Sequence, residues 1–158
     1  MKRISLLITF IVLNLVVNAQ SFNEDKIAFS NFLKRMYTTA PFEGVKVVDD
    51  YESQYLISVI SLDKAKYPSE SIRNRIAQVK AQSQASSFLN GATISMDMVI
   101  TSKEVKDSTN NFKTIVETVE QIKQKSVGFS QGLEVLTVFE HIDGIRMVFI
   151  YFRQLNIE

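Results

Sequence analysis

His141 is the sole histidine of the 158-residue chain, and Glu140 and Asp143 stand beside it. An imidazole oriented by a carboxylate can serve as a general acid or base near neutral pH, so a small hydrolase or ligand-binding enzyme would be built from this group. The sequence has no His-Glu-x-x-His pair and no glycine-rich phosphate loop. A histidine-rich metal site cannot come from one histidine. No catalytic residue is assigned, and no cofactor or metal is expected.

Three other groups carry chemistry-bearing residue types. Asp49, Asp50 and Glu52 cluster at a turn and offer oxygen to a hard cation, but without the spacing of a calcium loop, so they read as a solvated turn. Met96 and Met98 could present thioethers to a soft metal; set between Ile94 and Ile100 they read as core filler. Lys64, Lys66, Arg73 and Arg75 make a basic stretch with only Asp63 and Glu70 among them. That stretch is a candidate contact for an anionic envelope polymer, set against the ordinary reading of a solvated helix face.

These residues must be positioned by elements that the pattern predicts as follows. Asn23 to Tyr37 forms a helix with Phe29, Phe32, Leu33 and Met36 on one face, Asn23 as its cap and charges matching the dipole. Gly44 opens a β-branched run, and Tyr55 to Ile60 follows as a strand apolar on both faces, so the two make a hairpin whose second strand lies inside a sheet covered on both sides or faces a partner on one of them. A long helix runs from Pro68-Ser69-Glu70 to Asn90-Gly91, where glycine supplies the stop. At about 100° per residue, Ala77, Ala81, Ala85 and Phe88 lie opposite Ile72, Ile76 and Val79. The alanines admit a sheet, which leaves Ile72, Ile76 and Val79 as a candidate interaction surface. Ala92 to Thr101 alternates as a strand, Asp107 to Asn111 reads as a loop, and Phe112 to Ile122 is taken as helix, although its Thr and Val content suits a strand equally well. Gly132 leads into a second hairpin, Leu133 to Phe139 and Ile145 to Arg153, joined by the Asp143-Gly144 turn. Gly44-Val45-Lys46-Val47 and Gly132-Leu133-Glu134-Val135 resemble each other as a faint repeat.

Met1 to Ala19 has the layout of an export leader: Lys2 and Arg3, an apolar run from Ile4 to Val17, and small residues before a cleavage between Ala19 and Gln20. The expected organisation is a signal peptide over 1–19 and a single α+β domain over 20–158, periplasmic or secreted, with no stable membrane anchor after cleavage. Cysteine is absent, which excludes disulfides, thiol catalysis and a lipid-bearing cysteine. The chain has 18 Lys+Arg and 17 Asp+Glu, so removing Lys2 and Arg3 leaves 16 cations against 17 carboxylates. That balance provides no general attraction to nucleic acid. A protein partner, or a second copy of the chain, is the expected ligand.

The order of signals resembles the LPP-type envelope lipoproteins and the similar N-terminal domain of flagellar assembly protein T. The resemblance rests on Ala77, Ala81 and Ala85 leading to Phe88-Leu89-Asn90-Gly91, then a strand, then Gly132-Leu133-Glu134-Val135 and a hairpin ending Met147-Val148-Phe149-Ile150. The elements themselves predict an antiparallel sheet of about four to five strands packed against the long helix, with an additional N-terminal helix; the resemblance implies a compact α+β envelope domain of the same kind, acting by protein contact and not by catalysis. Gln20 stands where those lipoproteins carry a lipidated cysteine, so membrane anchoring does not carry over.

Overall fold

The computed structural model describes residues 24–50, 53–91, 93–101, 108–125 and 128–155. The leader, the Ala19–Gln20 cleavage, the Asn23 cap and Glu52 lie outside them. The chain divides into two compact units after Thr39. The first contains helix α1, residues 24–39, in which Phe29, Leu33 and Tyr37 are buried. The buried stripe is thus rotated from the predicted one, with Tyr37 included and Phe32 and Met36 partly exposed.

The second unit is α+β: a five-stranded, mostly antiparallel mixed sheet packed against one long helix. Its elements are β1 (Gly44–Asp50), β2 (Ser53–Asp63), α2 (Glu70–Gly91), β3 (Val99–Thr101), α3 (Ser108–Lys125), β4 (Glu134–Glu140) and β5 (Arg146–Gln154). The strand order is β3-β1-β2-β5-β4. Both predicted hairpins are present, β1 with β2 and β4 with β5, and their second strands pair antiparallel at the centre through Val59 and Ile150. Leu56 and Ile60 enter the core beneath α2, while Ile57 and Val59, which alternate to the other face, are fully buried too.

α2 is held by its small residues. Ala77, Ala81 and Ala85 are fully buried, with Phe88 and Leu89 closing the same face, and a methyl-sized side chain lets the helix backbone come close to the sheet. Ser58 is buried beneath it and donates its hydroxyl to Gln84 Oε1 at 3.0 Å. Tyr151 donates to the Asn74 carbonyl at 3.3 Å. Gly91 is the last helical residue and lacks the left-handed φ expected of a glycine stop.

Two predicted elements are corrected. Residues 108–111, read as loop, belong to α3, within which the hydroxyls of Thr114 and Thr118 donate to the carbonyls of Asn110 and Thr114, at 3.1 and 2.9 Å. Ile115, Val119 and Ile122 are its buried stripe. The predicted strand over 92–101 survives only as β3, which pairs parallel to β1 and makes the sheet mixed. Residues Met96–Met98 form a 3-10 turn instead, closed by Met98 N–H on the Ser95 carbonyl at 3.0 Å. The Ser95 side chain and the Asp97 backbone N–H both bond the Asp97 carboxylate, and these bonds, with the charge of Lys46, hold its pKa below the ordinary value against desolvation. Lys46 Nζ donates to the Asp97 carbonyl at 2.6 Å. Short-range side-chain bonds of this kind compete with a strand ladder, and here they bend the chain while Ile94 and Ile100 stay buried.

Candidate functional site

The predicted interaction stripe on α2 is divided between core and surface. Ile72 and Val79 are 52% and 59% exposed, whereas Ile76 is half-buried and packs on the core beneath. Seven helical positions separate the two exposed residues, about 10 Å along the axis at 1.5 Å per residue, so they form one aliphatic ridge on the side of α2 turned from the sheet.

A second exposed apolar group was not foreseen. Val135 and Val138 on β4 are 48% and 41% exposed, and Ile142 and Ile145 in the following turn 66% and 56%. Three positions apart, Val135 and Val138 should alternate between faces. A β-bulge between Val135 and Thr137 corrects the count, so that they stand opposite Tyr151 and Phe149, which belong to the core on the α2 side. The Asp-Gly pair announces this hairpin, but a bulge leaves no mark in an alternating pattern.

The four cations of the basic stretch do not converge. Lys64 Nζ is paired with Glu140 Oε1 at 3.1 Å. Lys66 Nζ lies 5.5 Å from the Tyr67 ring centroid. Arg73 turns inward and donates to the carbonyls of Tyr67 and Pro68, at 2.7 and 2.8 Å, so it fastens the loop that enters α2. Arg75 is exposed and projects about 200° further around the helix.

At the β4–β5 turn the structure brings His141 to Asp143 and not to Glu140. The Asp143 carboxylate organises the turn: Oδ1 accepts the N–H groups of Ile145 and Arg146 at 2.8 and 3.1 Å, and Oδ2 accepts Arg146 Nε at 2.7 Å. Desolvation pushes this carboxyl up, but the Arg146 side chain, the two backbone N–H groups and the His141 ring outweigh it and hold the group well below the usual carboxylate range. Gly144, at φ +68°, donates its N–H to the His141 carbonyl at 2.9 Å and closes the turn. His141 Nδ1 is 3.1 Å from both the Asp143 N–H nitrogen and Asp143 Oδ2. Arg146 Nη2 is 3.1 Å from Nε2 and 3.4 Å from Nδ1. A nitrogen that close to both ring nitrogens would collide in the ring plane with the carbon between them, so the guanidinium lies over the ring face, a common arginine geometry. Arg146 also reaches Glu43 at 3.7 Å. The imidazole is therefore built into its own turn, with 11% of its side chain exposed.

Among the described residues no group of three or more metal-binding side chains gathers, and no helix is long and apolar enough to cross a membrane. Asp49 is buried in β1 and Asp50 ends that strand; Met98 packs partly on the core. No family model, curated protein or solved structure matches the chain.

Proposed function

We propose that this chain is an exported, non-enzymatic module, periplasmic or secreted, that acts through protein contacts with an envelope protein or with another copy of itself. The observation that carries the reading is the Ile72–Val79 ridge: two large aliphatic side chains more than half exposed on a helix whose opposite face is already filled. Full burial of such a side chain is worth roughly 1.5–3 kcal/mol, so a partner covering both ridge residues gains part of that at each. The layout that resembles the LPP-type envelope lipoproteins agrees with a role in contact and not in catalysis. His141 fits the same reading, because its ring is occupied by Asp143 and Arg146.

The test is site-specific photo-crosslinking in the native cell. A photoreactive residue at position 79 is expected to give a discrete crosslinked species, which the Ile72→Asp change removes, while the same residue at the exposed Glu117 of α3 gives none. Equal crosslinking from both positions, or a position-79 product indifferent to Ile72→Asp, removes the ridge from consideration.

A further inference from the structure

The two partners offered to His141 Nδ1 exclude each other. The Asp143 N–H needs a lone pair on Nδ1, whereas the Asp143 carboxylate needs a proton there, and both stand at 3.1 Å. We infer that His141 is a proton-operated switch of the β4–β5 turn: Nδ1 accepts the Asp143 N–H when the ring is neutral and donates to the Asp143 carboxylate when the ring is protonated.

The surrounding charges set what the exchange does. The Arg146 guanidinium over the ring face is attracted by a neutral π-system and repelled by an imidazolium, so protonation drives it toward its other acceptors, Asp143 Oδ2 and Glu43. Glu140, the preceding residue, is engaged by Lys64 from the β2–α2 turn, and Asp63 of β2 stands opposite Arg146 in the sheet register. The Oδ1 bonds to Ile145 and Arg146 and the Gly144-to-His141 bond do not involve the ring, so the turn keeps its closure. What protonation releases is the peptide between Ile142 and Asp143, whose N–H loses its acceptor. Ile142, 66% exposed, is the side chain carried by that peptide.

Because the chain has one histidine, the ring nitrogens of the full-length protein give a single set of NMR signals. On the alkaline side of the ring titration Nδ1 is expected without a proton and Nε2 with one. On the acid side both are protonated, and the Asp143 amide and Arg146 Nε–H signals shift with the same midpoint as the ring. In His141→Asn, which can accept the Asp143 N–H at every pH, those two signals lose that midpoint. A protonated Nδ1 on the alkaline side overturns the inference. So does an Asp143 amide that ignores the ring titration, or one that still follows the same midpoint in His141→Asn.

Discussion

Gly44 and Gly132 head the two hairpins in similar sequence contexts, yet each is glycine for a different reason. Gly44 sits at φ +98° with open space where a Cβ would be, so the backbone conformation alone demands it. Gly132 has an ordinary φ, but a Cβ there would lie 2.3 Å from Arg153 Nη1. That guanidinium stacks 4.2 Å from the Phe129 ring centroid and donates to the carbonyls of Gly128 and Phe129. Gly44→Ala is expected to cost about 1 kcal/mol through strain. Gly132→Ala displaces the flexible end of Arg153 and costs about 0.5–1.5 kcal/mol for the hydrogen bonds given up. Chemical denaturation of the double variants with Arg153→Ala separates the two: Gly132→Ala becomes nearly neutral in that background and Gly44→Ala keeps its full effect. Equal costs in both backgrounds would assign the two glycines the same role. The faint repeat therefore has no common cause at its glycines.

At the scale of elements, α2 shows how far pattern alone reaches. Ala81 is fully buried against the sheet and Val79, two residues earlier, is mostly exposed. Ala81→Leu overfills the helix–sheet gap and is expected to destabilise by about 1–3 kcal/mol, whereas Val79→Ser stays within about 0.5 kcal/mol. Urea midpoints decide it, and a tolerated Ala81→Leu would mean that α2 does not approach the sheet closely. The opposed faces of α2, both hairpins and the central place of β2 were legible because each depends on local periodicity. Residues 92–101 were misread because the period-two pattern is real, while the Ser95–Asp97 bonds that fold it into a turn depend on side-chain geometry and on Lys46 from β1. The Ile72–Val79 ridge was legible as the side opposite the alanines. Arg73 was not, since its capture by the Tyr67 and Pro68 carbonyls is fixed only once the loop has its shape. At the turn, proximity in sequence pointed to Glu140 as readily as to Asp143; Lys64, remote in sequence, takes Glu140 away.

Among the described residues, the two carboxylates with depressed pKa, Asp97 and Asp143, lie by β3 and β4, the opposite margins of the sheet. A carboxylate whose folded pKa is below its unfolded value of about 3.9 contributes stability that is fully present above that value and is lost as pH falls through the folded pKa. Stability is therefore expected to hold from neutral pH down to about pH 5 on account of these groups and then to decline. Asp143→Asn should flatten that decline while lowering stability at neutral pH. Urea titrations from pH 2 to 7 measure it, and an unchanged acid slope in Asp143→Asn would show that the turn carboxylate is not linked to unfolding.

The sheet's central ladder, β2 with β5, joins the second strand of the chain to the last one. Everything from α2 to β4 must be present before that ladder can close, and such non-local pairing makes folding slow. A chain threaded from its N-terminus through a membrane pore would emerge with β1 and β2 paired only to each other. It would stay pliable until β5 arrived, so in such a passage the order of strands would itself delay folding.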